Sequence, residues 1–516
     1  MKFRMLGILP LAAVALTMGA TPAFADKASD TLVWATDREQ DTVDPYYNNM
    51  RIAVIIGRAM CDNLLFRNTK TFAYEPLLAK SFEWIDDVTM DFVLREDVVF
   101  HNGKKFKAED VAYTVNFVVN PDHGVIVKNN VGWMKSAEVL SEYKVRIHLK
   151  KPFPAALEFV SGPNPIMPKD HWANAPERAG GEGKVKRDYG AVSPVCTGPY
   201  KLKEMVAGES VLLERNENYF SGGPKGKPAI KNILMRTIND PETQIAELLT
   251  GGVDWLWDVT KDKAEDLTAM GAMQVVQAPT MRVSYLAMDA VGKGGKNPFQ
   301  DVRVRRAMNH AVDKDALAKN LVGGASYAIH SACYPSQFGC TQDVPKYEYD
   351  PVKAKKLLAE AGYADGFTID YYGYRQREYS EAIIGYLKAV GIKTNLKWLQ
   401  YRALRPKTWD GSAQLVNLTW GSYSVNDVSA ITSHFFKHGK DDYAHDPDAK
   451  KWLDIGDGST DPAVRKDAYQ KALTIIADKA YWVPLFPYAK FYVFSKELNF
   501  TPTPDEIPRF FYAKWN

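Results

Sequence analysis

The chain has 516 residues, of which 46% are hydrophobic and 25% are charged, a balance typical of soluble globular proteins. This length predicts about two to four domains with ample core. The formal net charge of +3 falls to +1 without Lys2 and Arg4 at the N-terminus. Such a small charge gives no field that favours nucleic acid or anionic lipid, so we expect no nucleic-acid partner.

The first predicted element is an export signal. Lys2 and Arg4 form a positive n-region, residues 5–18 are almost all apolar, and Ala23-Phe24-Ala25 matches an A-x-A cleavage site. The apolar run is shorter than the ~20 residues that span a bilayer. No cysteine stands near the cleavage site to carry a lipid. The sequence therefore predicts a cleaved signal peptide over residues 1–25 and a periplasmic protein.

Helical and strand-like patterns then alternate through the chain, which favours an α/β fold. Residues 92–98 read as an edge-exposed strand before the turn dipeptide Asn102-Gly103. The glycine-rich segment 291–298 is predicted to cross between lobes. The predicted strands are 31–35, 143–149 and 392–398. The predicted helices are 52–65, 110–118, 242–250, 302–312, 351–361, 381–390 and 464–478.

The four cysteines are Cys61, Cys196, Cys333 and Cys340. An even number in an oxidising compartment favours disulfides. Cys333 and Cys340 bracket a turn-rich loop that could close easily, and Cys61 would then pair with Cys196. Three connectivities are possible, and the sequence does not select one. A four-thiolate metal site would use closely spaced cysteine pairs, which the sequence lacks.

Several segments in order resemble the family-5 extracellular solute-binding proteins, the dipeptide-, oligopeptide- and nickel-type receptors of bacterial ABC importers. The resemblance covers roughly Thr31 to Tyr488. Its motifs are Phe100-His101-Asn102-Gly103 with the following Ala108 to Val111, Thr197–Leu202, Arg215–Phe220, Glu247–Asp254, Pro298–Met308 and Tyr349–Tyr363.

This resemblance implies a two-lobed periplasmic binding protein fold, type II, of the large cluster with an extra subdomain in lobe I. Lobe I would comprise 26–70, 191–280 and 482–516, with 71–190 as the extra subdomain and 281–481 as lobe II. The implied function is capture of a ligand, most often a short peptide, between the lobes and delivery to inner-membrane permease subunits. We expect a monomer that needs no cofactor.

The same resemblance points to ligand-binding candidates in three segments. Tyr46, Tyr47 and Asn48 stand where the family has its first cleft loop. Trp420 opens a segment like the family's "G-W-x-x-D-x-x-D-P", in which the Asp pairs with a peptide's ammonium group. Tyr423 takes that Asp position here, and Asp427 could replace it only if the loop is shaped differently. This departure leaves opine-like, sugar-conjugate and metal or haem ligands open beside peptides.

Arginines are a further group of candidates, because guanidinium binds carboxylate and phosphate in a bidentate manner. The candidates are Arg375, Arg377, Arg402 and Arg405. Of these, Arg402 and Arg405 lie between the predicted strand 392–398 and Trp420, close in order to the expected cleft. No G-x-S-x-G, H-E-x-x-H or EF-hand motif is present, so we predict that the protein is not an enzyme, with a secreted hydrolase as the less favoured alternative. His434 and His438 would share a helix face, but Gly439 follows at once, and we predict no metal site.

Overall fold

The structure is a computed structural model that describes residues 27–179 and 185–516, apart from the side chain of Tyr423. The predicted signal peptide lies outside the described residues. Along the described ranges, no helix combines the length and the apolar character needed to cross a bilayer.

The strands lie as follows in chain order: β1 (Thr31–Thr36), β2 (Leu65–Arg67), β3 (Tyr74–Pro76), β4 (Ala79–Asp86), β5 (Thr89–Leu94), β6 (Met134–Ser141), β7 (Lys144–Leu149), β8 (Glu177–Ala179), β9 (Val185–Arg187), β10 (Tyr200–Val206), β11 (Ser210–Arg215), β12 (Asn232–Thr237), β13 (Trp255–Val259), β14 (Gln274–Met288), β15 (Phe367–Gly373), β16 (Ile392–Trp398), β17 (Leu415–Trp420), β18 (Trp482–Phe494), β19 (Leu498–Asn499) and β20 (Lys514–Trp515).

The α-helices are α1 (Arg51–Met60), α2 (Ala108–Val118), α3 (Lys128–Val131), α4 (Ala156–Val160), α5 (Pro241–Thr250), α6 (Lys261–Met270), α7 (Val302–Ala311), α8 (Lys314–Leu317), α9 (Pro351–Glu360), α10 (Arg377–Ala389), α11 (Tyr401–Trp409), α12 (Ser429–Phe435), α13 (Pro447–Gly458) and α14 (Pro462–Asp478).

One ten-stranded mixed sheet runs through both lobes, in the order β10-β11-β12-β1-β13-β18-β14-β17-β15-β16. Its two long central strands, β14 and β18, belong to both lobes, since β18 pairs with β13 of lobe I and β14 pairs with β17 of lobe II. The β14–β18 register shifts between Pro279 and Val283 and again before Tyr285. The lobes are therefore joined by two antiparallel strands whose hydrogen-bond ladder is interrupted by shifts of register.

Each lobe has its own hydrophobic core. In lobe II, one core under β14 and β17 contains Tyr285 stacked on Trp482 with ring centroids 3.5 Å apart, and a second core lies on the other face of the sheet. The first part of β18, including Trp482 and Val483, packs in the same cores as β14 and β17. The division of the chain into lobes, with 482–516 in lobe I, stays a prediction.

The extra subdomain is built on a four-stranded antiparallel sheet, β4-β5-β7-β6, covered by α2. Within this sheet β5 lies between β4 and β7, so the prediction of an edge strand was wrong. The charged residues that suggested an edge, 95–97, follow the end of β5. The one carboxylate within β5, Asp91, is almost fully buried and is held by Arg146 at 2.7 Å and Lys144 at 2.9 Å.

Two disulfides join the four cysteines, Cys61 to Cys196 and Cys333 to Cys340. The first one ties the end of α1 to the segment before β10, so that the whole extra subdomain lies within the loop that it closes. Gly198 makes this junction possible, because its N–H donates to Met60 O at 2.8 Å and a Cβ there would lie 2.3 Å from the same oxygen. The close approach also ends α1 at Met60, five residues before the predicted end at Leu65.

Candidate functional site

The two lobes face each other across a cleft. Residues 421–427 of lobe II, here called the closing loop, extend into this cleft. The Asn426 N–H donates to Glu158 Oε2 of the extra subdomain at 2.7 Å. Ser424 Oγ donates to the backbone oxygen of Asp505 at 2.7 Å and accepts from Arg51 at 2.7 Å. These hydrogen bonds hold the closing loop against lobe I.

A cavity of about 510 Å³, the basic cavity, lies on one side of the closing loop. Its walls combine the ends of β1 and β13, the start of α1 and side chains from the interlobe strands. The cations that line it are Arg38, Arg51, Lys263, Arg282, Arg375 and Lys490, and the carboxylates are Asp37, Glu242, Asp258 and Glu506. Six cations against four carboxylates leave this cavity positively charged.

Glu506 is the buried anion at the centre of these cations. Arg282, Arg51 and Lys490 lie 3.3, 3.5 and 3.5 Å from its carboxylate. Burial by itself raises the pKa of Glu506, but the surrounding cations outweigh burial and lower the pKa to about 2. Glu506 therefore stays ionised, and Arg282 also donates a hydrogen bond to it at 3.3 Å.

Arg375 differs from the other cations of the basic cavity. It enters from lobe II, from the loop between β15 and α10, and is partly buried. In the part of the chain that the structure describes, no carboxylate lies within ion-pair distance of Arg375. Its guanidinium thus reaches the cavity without a protein anion.

A second cavity of about 570 Å³, the aromatic cavity, lies where the extra subdomain meets lobe II. Trp133, Phe153 and Phe159 form its apolar wall, and His434 and Lys437 stand opposite. The closing loop adjoins both spaces, because Val425 lines the aromatic cavity and Ser424 bonds to Arg51 of the basic cavity.

The structure brings two predicted site residues, Trp420 and Arg405, into one cluster. Trp420 stacks on His434 with centroids 4.4 Å apart, and its indole N–H donates to Ala430 O at 2.9 Å. His434 and Arg405 both reach Asp441, at 3.0 and 2.5 Å. Burial raises the pKa of Asp441, but these two partners outweigh it and lower the pKa.

The other candidates lie apart from this cluster. Tyr46 is buried and donates to Pro165 O at 2.6 Å, and Tyr47 donates to His123 O at 2.8 Å. Asn48 accepts from the Met50 N–H at 2.9 Å and so orders the chain just before α1, where Met50 and Arg51 line the basic cavity.

Asp427 and Arg402 occupy contrasting places in lobe II. The Asp427 carboxylate is buried, pairs with Arg465 at 2.7 Å and accepts from Ser429. Arg402 is exposed on α11. The backbone of Tyr423 belongs to the short 3₁₀ turn Ser422–Ser424, and its side chain lies outside what the structure describes. The ligand roles of all these residues stay predictions.

The structure differs from two predictions, the shared helix face of His434 and His438 and the crossing between lobes at segment 291–298. Helix α12 ends at Phe435, so His434 and His438 do not share a helix face, and His438 lies beside His445 instead, with ring centroids 5.3 Å apart. Among residues 27–179 and 185–516 no group of three or more His, Cys, Asp or Glu side chains could hold a metal ion. Segment 291–298 contacts Gln414 and Lys440 within lobe II, so its prediction as a crossing was wrong.

Sequence reasoning missed most of the basic cavity. Arg51, Arg282, Lys490 and Glu506 come from a helix, two long strands and the C-terminal segment. No spacing in the sequence joins them. The only local signal is that the strand residues Arg282 and Lys490 interrupt otherwise apolar runs.

These features define a class of protein, the two-lobed binding proteins. The two lobes are joined by crossing strands, and a ligand is enclosed in the cleft between them. A profile described as "Bacterial extracellular solute-binding proteins, family 5 Middle" matches residues 73–443, well over half of the chain. The chain belongs to this family. It is therefore the substrate-binding component of an ABC import system, as the motifs predicted.

Three similar proteins illustrate the range of the family. The glutathione-binding protein GsiB of Salmonella paratyphi A is 28% identical over 389 residues, which cover 74% of this chain and 72% of that protein. Heme-binding protein A of Haemophilus influenzae is 26% identical over 452 residues, covering 80% and 78%. The crystal structure of NikA from Brucella suis, in complex with Fe(III)-EDTA, has a TM-score of 0.80 and 26% identity and covers 94% of this chain and all of that one.

Acid should weaken the fold through Glu506. A carboxylate whose pKa is lowered in the folded state stabilises that state above its unfolded pKa near 4.5, and the contribution is lost as the pH falls toward 2. This lowering of the Glu506 pKa corresponds to about 3 kcal/mol of the free energy of unfolding. We expect Glu506→Gln to show a shallower loss of urea stability between pH 4.5 and 2.5 than the natural chain. The exposed Glu497→Gln should follow the natural curve, and equal curves for all three would contradict the prediction.

Proposed function

We propose that this receptor binds short peptides, or peptide-like molecules that carry a free carboxylate, and delivers them unaltered to its permease. The observation that carries the proposal is Arg375, which enters a positively charged interlobe cavity and has no carboxylate of the described residues within ion-pair distance. A ligand carboxylate would supply the missing anion, and its burial on closure would be compensated by a bidentate ion pair. The cavity volume of about 510 Å³ suits a ligand of two or three residues.

The N-terminal end of the ligand should matter less than the carboxylate. Asp427 is engaged by Arg465, and Glu506 by three cations, so neither is free to pair with an ammonium group. The aromatic cavity would instead take an apolar side chain or conjugate. This arrangement also accommodates opine-like ligands, which carry carboxylates without a terminal amine. The same proposal includes export by the predicted signal peptide to the periplasm, and a monomer in solution.

The test compares Arg375→Gln with Arg377→Gln. Arg377 lies two residues away, is exposed and pairs with Glu381 at 2.7 Å on α10. We expect Arg375→Gln to weaken binding of a peptide that the natural chain binds by about 30-fold, or ~2 kcal/mol, because the ligand carboxylate loses its buried partner. Arg377→Gln should stay within about twofold, as is usual for an exposed ion pair. Calorimetric titration with peptides and glutathione measures both variants.

Modified peptides sharpen this test. C-terminal amidation of the peptide should weaken its binding to the natural chain about as much as Arg375→Gln does. In the Arg375→Gln variant, amidation should cause little further loss of affinity, because both changes remove the same ion pair. N-acetylation should change the affinity by less than about threefold, since each carboxylate that lines the basic cavity already has a protein cation within 3.4 Å. Tight binding of amidated peptides, or recovery of only a chelated metal from the periplasmic protein, would contradict the proposal.

A further inference from the structure

A third, very small cavity lies beneath the closing loop, apart from the two ligand cavities. Its volume is about 30 Å³, room for one or two guests of the size of a water molecule. Lobe I, the extra subdomain and Ser424 and Val425 of lobe II all contribute to its walls. Four of the residues that line it are cationic, namely Arg58, Arg67, Lys225 and Arg509, and one is a carboxylate, Glu158.

Three of the four cations have carboxylate partners. Each of these partners is buried, so the pairs are well shielded from solvent. The pairs are Lys225 with Asp62 at 2.7 Å, Arg67 with Glu158 at 2.5 Å and Asp505 at 3.0 Å, and Arg509 with Asp505 at 2.5 Å. The cluster of four cations and three carboxylates therefore retains one positive charge.

That charge belongs to Arg58, on the last turn of α1. Its Nη1 donates only to neutral oxygens, Asn63 Oδ1 and Ser161 O, both at 3.2 Å. Across the described residues no carboxylate lies within ion-pair distance of Arg58. Burial, followed by repulsion from Arg509, lowers the pKa of Arg58 to about 9. An uncompensated cation in such surroundings is costly, and a small anion would relieve it.

We propose that this cavity binds one monatomic anion, chloride, against the Arg58 guanidinium. The small volume favours a monatomic anion over phosphate, sulfate or the carboxylate of a peptide, and the site differs from the ligand cavities in its lining. Because Ser424 and Val425 form part of the wall, the anion is enclosed only when the closing loop lies against lobe I. The bound chloride would then stabilise the closed arrangement.

The test follows unfolding of the ligand-free mature protein by urea while sodium chloride replaces sodium gluconate at constant ionic strength. We expect the urea midpoint to rise with chloride and to level off, as for a single site that is present only in the folded protein. In Arg58→Gln the chloride-dependent shift should fall at least about fivefold. Arg306→Gln, which removes an exposed arginine paired with Asp478, should keep the full shift. Equal midpoints in chloride and gluconate for the natural chain would overturn the proposal.

Crystals of the natural chain grown in bromide give a second measurement that does not depend on a variant. An anomalous peak beside the Arg58 guanidinium supports the site. An ordered water there without anomalous signal, in a structure with the closing loop against lobe I, overturns it.

Discussion

Replacing both Cys61 and Cys196 by alanine is expected to lower the free energy of unfolding by about 5 kcal/mol, the largest effect of any change considered for this protein. The bond joins residues 135 positions apart, so it restricts the unfolded chain far more than a local bridge does. In the chain-entropy description, stabilisation grows with the logarithm of loop length.

The second disulfide provides a matched control. Cys333 and Cys340 are seven positions apart, and replacing both by alanine should cost about 2 kcal/mol. Urea unfolding followed by tryptophan fluorescence under oxidising conditions measures both double variants. Equal losses in the two variants would contradict the role of loop length.

Asp505→Ala is expected to have the next largest effect, a loss of about 3–5 kcal/mol. Its carboxylate is almost fully buried between Arg67 and Arg509, at 3.0 and 2.5 Å. Burial raises the pKa of Asp505, but the two arginines outweigh it and hold the pKa far below the usual range. Removal of the carboxylate would leave two buried guanidinium groups with too few anions, which is more costly than the loss of the ion pairs themselves.

Asp478→Asn is the control for this prediction. Asp478 also pairs with an arginine, Arg306 at 3.0 Å, but both side chains are exposed. A surface pair of this kind contributes about 1 kcal/mol or less. If the urea stabilities of the two variants were similar, burial would not be the source of the Asp505 contribution.

Local signals in the sequence explain why many elements could be predicted. Helix α5 begins at Pro241 behind Asp240, whose carboxylate accepts from the Thr243 N–H, and it ends at Gly251 with φ of +80°. Such caps involve neighbours in the chain, so the sequence shows them directly. Where an end depends on a distant residue, as the end of α1 depends on Gly198, periodicity alone misplaced it.

The candidate site was less predictable for the same reason. Arg375 could be named only as one of four arginines whose guanidinium groups suit a carboxylate or phosphate. The partners around Glu506 converge only after β14, β18 and the C-terminal segment have packed together. Trp420 could be placed at the cleft by resemblance, but its stacking on His434 depends on how α12 packs.

The ring of chain closed by Cys61 and Cys196 has a consequence for survival in a protease-rich compartment. Strands β8 and β9 are exposed and lie within that ring. A protease that cut the backbone there would leave two pieces still joined covalently on lobe I. Such a nicked receptor would not shed its extra subdomain until the disulfide was reduced.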